Sequence, residues 1–333
     1  QVRDMIDDLG TALIDIGLKD KRIAVIGENR YEWGVTYLAV VNGTGTIVPL
    51  DKALPENEIE SLIIRSGVEA IVYSSKYDEV MNELKEKKNT DLKYFISMDL
   101  EESENGIISF KKLIARGKEL LENGDKRFVD SKIDVDEMRI MLFTSGTTSK
   151  SKAVMLSHKN IASNLMDISS VLKVREDDRF LSFLPLHHTF ECTTGFLLPL
   201  SVGASIAFCD GIRHIAENIK EYDISFMVSV PVLYENMCKK IMKSIKEQGK
   251  ETTVNVGMKV SNALLKVGLD IRGKLFKQVQ DSLGSNLRLL VAGGAALDPD
   301  TEKTFNSLGI NMVQGYGLTE SSPVIAVEDD KYK

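Results

Sequence analysis

Short apolar runs alternate with amphipathic stretches along most of this chain. Val2, Met5, Ile6, Leu9, Leu13 and Ile16 recur at helical spacing, with Gly17 placed to end the helix. Ile23 to Ile26 reads as a buried strand, Asn29 as a helix cap, and Tyr31 to Val41 as a helix apolar on most sides. The alternation continues with strands at 47–49, 70–73 and 94–97. Between them lie helices from Pro55 to about Gly67, over 76–87 and over 110–121. Strands alternating with helices predict an α/β fold, a parallel sheet covered on both faces.

Residues 122–137 are charged and nearly free of large apolar side chains, which predicts a surface connection. It leads into an apolar run, Ile140 to Phe143, and then into nine residues, 144–152, with six hydroxyls, one glycine and two lysines. A second apolar run, Ala153 to Leu156, follows, so this turn is expected between two strands, with Ser157 capping a helix through Leu172. Further strands are expected at 180–184, 204–208, 226–230 and 287–291, and helices at 212–221, 233–242 and 300–308. Between Lys239 and Gln280 stand ten basic residues and three acidic ones, and Leu264, Leu265, Leu269, Leu275 and Phe276 supply an apolar side. Two or three amphipathic helices are expected there.

Composition narrows the function classes. The chain has 333 residues, 43% hydrophobic and 27% charged, with a net charge of −7, which argues against generic nucleic-acid binding. Four histidines leave little room for a histidine-rich metal site, and Cys192, Cys209 and Cys238 form no CxxC pair. With no signal segment and no apolar run long enough to span a membrane, the chain reads as cytoplasmic; opening on Gln1, it reads as a piece of a longer protein.

Candidate chemistry lies in four polar or small-residue loops, 144–152, 185–191, 292–296 and 315–320, each expected to leave the carboxyl end of a strand. In parallel α/β sheets that is where ligands bind. A turn rich in backbone N–H groups, hydroxyls and ammonium charge suits a polyphosphate. It is not a Walker A element, because Ser151 and Ala153 flank Lys152 where Gly and Ser or Thr should stand.

These stretches resemble the adenylate-forming enzymes, a family of acyl-CoA synthetases, luciferases and adenylation domains. Thr144-Ser-Gly-Thr-Thr-Ser-Lys-Ser-Lys152 resembles its phosphate loop, and Gly315-Tyr-Gly-Leu-Thr-Glu320 matches its second signature. Leu184 to Glu191 is similar to the histidine-bearing segment of the long-chain fatty acyl-CoA synthetase branch, and Gly293-Gly-Ala295 to the adenine-side turn. The resemblance implies two stacked α/β subdomains with mostly parallel sheets covered by helices. Residues 21–176 would form the first, with the phosphate loop, and 1–20 with 177–333 the second.

It also implies roles. Thr144, Ser145, Thr147, Thr148 and Lys152 would hold the β- and γ-phosphates of ATP, with Gly146 and Ser149 also in the nucleotide-binding set, Thr319 would contact the α-phosphate, and Glu320 would ligate a Mg²⁺ ion. Tyr316, between Gly315 and Gly317, would lie against adenine, with Gly293, Gly294 and Ala295 admitting the ring. His188 would stand near the acyl carboxylate, and Lys152, His188, Thr319 and Glu320 would carry the catalysis. The implied reaction joins a fatty acid to AMP and then to coenzyme A, with an acyl channel near 226–234 and 292–296. The alternatives are transfer to a carrier protein, release at the acyl-adenylate, or a nucleotide-binding protein with weakened catalysis.

Departures are local. Where the family pattern has Gly, Pro and Gly, this chain has Ser149, Ser151 and Ala153. The family's C-terminal domain is expected beyond Glu320, outside this sequence. The basic stretch 239–280 is a candidate for peripheral contact with an anionic membrane.

Overall fold

A computed structural model describes residues 1–144 and 151–329. The chain divides into two compact units: 1–162 with 185–189, and 163–184 with 190 onward.

In the first unit the elements follow as α1 (Val2–Asp15), β1 (Lys21–Ile26), α2 (Tyr31–Ala39), β2 (Gly45–Pro49), α3 (Glu56–Ser66), β3 (Ala70–Tyr73) and α4 (Asp78–Lys87). They continue as β4 (Tyr94–Ser97), β5 (Ile107–Ser109), α5 (Phe110–Glu122), β6 (Met138–Thr144) and β7 (Lys152–Ser157). The sheet has the order β5-β4-β3-β1-β2-β6-β7 and is parallel except for β7, which pairs antiparallel with β6. One face buries Ala24, Ile26, Val48 and Ile71 against Ile59, Leu62 and Ile63 of α3 and Met81 and Leu84 of α4. The helix α3 starts after Pro55 and ends at Gly67, whose left-handed φ of 59° glycine adopts at little cost.

Residues 1–20 belong to this unit, not to the second as expected. Leu9, Ala12 and Leu13 of α1 are fully buried, and α1 crosses α5 so closely that a Cβ on Gly117 would stand 1.7 Å from the Asp8 carbonyl oxygen. The helical spacing showed a buried face but not which sheet would cover it. The expected boundary at 176 also moves, since the cut falls within the next helix, α6 (His158–Val171). The helix expected to be capped by Asn29 begins instead after Arg30, whose backbone is extended.

In the second unit, α6 leads to β8 (Arg179–Ser182), α7 (Leu198–Val202), β9 (Ser205–Phe208), α8 (Ile215–Glu221), β10 (Phe226–Ser229) and α9 (Pro231–Glu247). Then come α10 (Glu251–Leu265), α11 (Arg272–Leu275), α12 (Lys277–Leu283), β11 (Leu289–Ala292), α13 (Pro299–Ser307), β12 (Asn311–Gly317) and β13 (Val324–Val327). The strand order is β13-β12-β11-β10-β8-β9, again parallel except for one edge, β13, antiparallel to β12.

Alternate residues of β10 and β11 sort to opposite faces. Met227 and Leu290 pack with Ile219, Tyr234, Ile241 and Phe305, while Phe226, Val228, Leu289 and Val291 pack with Ile168, Leu172 and Leu198. Helices on both faces are what a parallel sheet with continuous apolar strands requires. The unit is further fixed by Asp178, 2% exposed, which Arg288 and Ser225 both engage. Burial pushes that carboxyl up, but the hydrogen bonds from Arg288, Ser225 and the Arg175 amide outweigh it and hold its pKa below the ordinary value. Among the described residues no helix is long and apolar enough to cross a membrane.

Candidate nucleotide and acyl site

In the first unit, β6 ends at Thr144 and β7 begins at Lys152, and the two residues are directly paired across the hairpin. The strands expected on either side of this stretch are therefore an antiparallel pair; Ser145, Gly146, Thr147, Thr148 and Ser149 lie outside the described residues. Because β6 runs parallel to β2, Thr144 leaves the sheet at the same edge as Leu50 and Asp51, which follow β2. Thr144 is half-buried and Lys152 exposed, so the ammonium is hydrated and open to an anion.

The segment 185–189 belongs to the same unit. A tight turn, in which the His188 amide donates to the Pro185 carbonyl at 3.0 Å, sets two imidazoles side by side with centroids 4.1 Å apart. The His187 side chain is 8% exposed, and its Nε2 lies 3.4 Å from an Asp51 carboxylate oxygen without hydrogen-bond geometry. Burial drives its pKa down to about 3; positive charge on His188 and Lys52 adds to the shift, and Asp51 opposes it. His188 is the more exposed of the two, and its pKa is also lowered by desolvation against Asp51's opposing pull. Both rings are thus mainly neutral near pH 7. Asp51 carried no sequence signal; its role as the carboxylate facing this pair depends on a segment far along the chain.

In the second unit, Ala292, the last residue of β11, is the register partner of Gln314 within β12, so the turn 293–296 starts beside the stretch 315–317. Gln314 accepts a hydrogen bond from the Leu297 amide at 3.2 Å and donates to Glu302 at 3.0 Å, which ties β12 to the end of the 293–296 turn and to α13. The Gly293 amide donates to Ser229 at 2.9 Å, and a Cβ at Gly293 would lie 2.5 Å from the Phe190 ring. Gly293 is buried beneath that ring, whereas Gly294 and Ala295 are exposed, leaving their backbone open to a flat ligand.

Residues 315–317, expected in a loop, are strand. They continue β12 and pair with β13, a strand the sequence pattern did not show, and Tyr316 stands 67% exposed on it. A Cβ on Gly317 would come 2.0 Å from the Pro323 carbonyl oxygen, so only glycine fits. Beyond it Thr319–Ser321 forms one 3₁₀ turn, closed by the Leu318 amide on Ser321 Oγ at 3.2 Å. Asn164 of α6 secures the far side of the hairpin: its Nδ2 donates to Val324 O at 2.7 Å and its Oδ1 accepts from Val324 N at 3.2 Å. That clamp was also missed, since one asparagine in a helix has no distinguishing pattern.

Thr319 is half-buried and Glu320 exposed. No group of three His, Cys, Asp or Glu side chains among the described residues is placed to hold a metal. A single carboxylate such as Glu320 fits a magnesium ion whose other ligands are phosphate oxygens and water. The segment expected near an acyl channel is buried in apolar packing, Phe226 and Tyr234 both at 0% exposure. A cavity of about 280 Å³ lies elsewhere in the unit, lined by Ile241, Ile245, Val254, Leu275, Phe276 and Val279 of the basic helical stretch.

The family model described as "AMP-binding enzyme" matches residues 1–333. Human "Long-chain-fatty-acid--CoA ligase 1" is 30% identical over 359 residues, covering 96% of this chain and 48% of that protein. The Arabidopsis thaliana "Long-chain-fatty-acid--[acyl-carrier-protein] ligase AEE15, chloroplastic" is 24% identical over 380 residues, covering 98% and 52%. The chain thus spans about half the length of these relatives. Among solved structures, the N-terminal domain of FACL13 from Mycobacterium tuberculosis superimposes with a TM-score of 0.75 at 18% identity, covering 99% of this chain and 71% of that one; it is similar in fold. The strand-end signatures, the α/β architecture and the match over the whole chain agree: this protein belongs to the AMP-binding enzyme family.

Proposed function

We propose that the chain supplies the nucleotide- and carboxylate-binding part of an ATP-dependent acyl-activating ligase. The reading rests on one observation: the described signature residues, Thr144 and Lys152 in one unit and Gly315 to Glu320 in the other, stand on or directly beside an antiparallel strand pair at the edge of a parallel sheet. Thr144 and Lys152 would take the β- and γ-phosphates, Thr319 the α-phosphate, and Glu320 the magnesium carried in with the nucleotide. Tyr316, which is exposed, would lie against adenine, with the open backbone of Gly294 and Ala295 admitting the ring. A fatty-acid carboxylate would attack the α-phosphorus, giving an acyl-adenylate and pyrophosphate, and the coenzyme A thiol would then displace AMP.

The residues suit such a reaction because it asks for positioning and charge neutralisation, not a side-chain nucleophile. A neutral His188 can hydrogen-bond the incoming carboxylate without trapping it in an ion pair, which keeps the nucleophile reactive. Carrier-protein transfer is the second reading, supported by the plant relative named as a carrier-protein ligase. On the full-length protein, fatty-acid-dependent ATP–pyrophosphate exchange is expected. Its absence across carboxylates of every chain length would overturn the reading. Dependence of AMP release on coenzyme A or on a carrier protein separates the two acceptors.

The basic stretch supports a further partner, an anionic bilayer surface supplying the fatty acid. Val256 and Val260, one helical turn apart on α10, and Val267 in the turn after it are 54%, 48% and 72% exposed, next in sequence to Lys259 and Lys266. Apolar stripes flanked by lysines bind at interfaces with acidic lipids. Flotation with phosphatidylserine vesicles, absent with neutral ones and lost in a Lys259→Glu/Lys266→Glu variant, is expected; equal flotation on neutral vesicles would exclude this partner.

A further inference from the structure

The hydroxyl-rich turn lacks the proline that the family pattern places just before its lysine; Ser151 stands there instead. Proline locks φ, and without it the chain entering Lys152 has more conformations to lose when an anion binds.

The structure supplies a different restraint. Arg65, in the last turn of α3, donates from Nη1 to Ser151 Oγ at 2.9 Å and from Nη2 to the Ser151 carbonyl oxygen at 2.5 Å. The same guanidinium lies over the Phe143 ring, 5.4 Å from its centroid. One side chain thus engages β6 at the residue before Thr144 and the residue that leads into β7, just before Lys152. A planar fork with a cationic face can make these contacts together; a lysine ammonium cannot. Its base is rigid, because Leu62 and Ile63 of α3 are buried against the sheet and Gly67 closes the helix in the left-handed conformation.

We propose that Arg65 is a positioning residue for Thr144 and Lys152, doing by a side-chain clasp what proline does covalently in the family pattern. It touches no substrate; it acts by holding Thr144 and Lys152 in fixed register before ATP arrives. This inference rests on the reading of 144–152 as a phosphate site.

The experiment uses the full-length protein and ATP–pyrophosphate exchange, with Arg65→Ala, Arg65→Lys, and Arg65→Ala combined with Ser151→Pro. Losing two charge-assisted hydrogen bonds in an exposed setting should raise KM for ATP about tenfold, with kcat changed by less than about threefold. Lysine should recover little of this, and proline at 151 in the Arg65→Ala background should recover most of it. A residue needed only for folding would give neither the split between KM and kcat nor rescue by proline. An unchanged KM in Arg65→Ala, or no rescue in the double variant, would overturn the proposal. Amide hydrogen exchange on the protein without nucleotide tests the clasp apart from any activity: exchange at Ser151 and Lys152 should speed up in Arg65→Ala and slow again in the double variant. Unaltered exchange refutes the clasp, whereas altered exchange in a protein with no ATP–pyrophosphate activity refutes the functional reading alone.

Discussion

The two signature hairpins resemble each other in topology and differ in what holds them. β6–β7 and β12–β13 each turn an edge of a parallel sheet antiparallel, and each carries its nucleotide-signature residues at or beside the turn. The second is fixed by close packing: Gly317 lies against the Pro323 backbone, and Asn164 is bonded to both polar groups of Val324. The first is fixed by an exposed arginine that spans 86 residues of sequence to reach Ser151. Packing that admits only one residue type should give a stiff element that fails abruptly, and a solvent-exposed clasp one that weakens by degrees. On the proposed function, a flat adenine ring would be suited by the first kind of support, and a triphosphate that must enter and leave as pyrophosphate by the second.

The sharpest way to break this contrast is Gly317→Ala. Its Cβ would meet backbone, which cannot rotate away, so a loss of about 3 kcal/mol is expected in denaturant unfolding. A loss below about 1 kcal/mol would mean the hairpin is as adaptable as its counterpart. Asn164→Ala comes next, at about 2 kcal/mol, because it removes the hydrogen bonds to both the Val324 amide and its carbonyl; thermal or urea unfolding reads it directly.

A third effect belongs to the first unit alone. His187 has a folded pKa near 3 against 6.5 for an unperturbed ring. Below pH 6.5 the unfolded chain takes up a proton that the folded one refuses, so this contribution to stability is complete above pH 6.5 and declines as pH falls toward 3. The slope approaches about 1.4 kcal/mol per pH unit inside that window and should be lost in His187→Gln, as measured by urea unfolding at a series of pH values. The smallest effect is expected for Arg65→Ala on stability, under about 1 kcal/mol, since its contacts are solvent-exposed. A larger loss would place the arginine in the fold's framework and erase the distinction between the hairpins.

The sequence showed these regions unequally. The stretch 144–152 stood out because its composition changes abruptly between two apolar runs, which placed it between two strands; that these pair antiparallel came from the structure. The adenine-side turn was visible through its glycines. β13 was not: four residues with mixed exposure after a proline give no alternation to read. Without β13, Gly315 to Gly317 looked like a loop, since two glycines around a tyrosine usually mark a turn, and only the partner strand makes them extended. α1 showed a clear apolar face, but amphipathicity says that a helix is covered, not by what. Arg65, Asp51 and Asn164 were invisible for one reason: each acts on a segment distant in sequence, and nothing local distinguishes it from other polar residues on its element.

The edges of the two sheets have a consequence for the protein in crowded solution. An unpaired strand edge invites pairing with another molecule, and the hazard grows with its length. The four outermost strands, β5, β7, β9 and β13, contain 3, 6, 4 and 4 residues. The longest, β7, carries Lys152 at its start, where a lysine discourages docking by a foreign strand. The charge read here as a hold on phosphate would then also guard against aggregation, so replacing Lys152 with a neutral residue would risk solubility as well as activity.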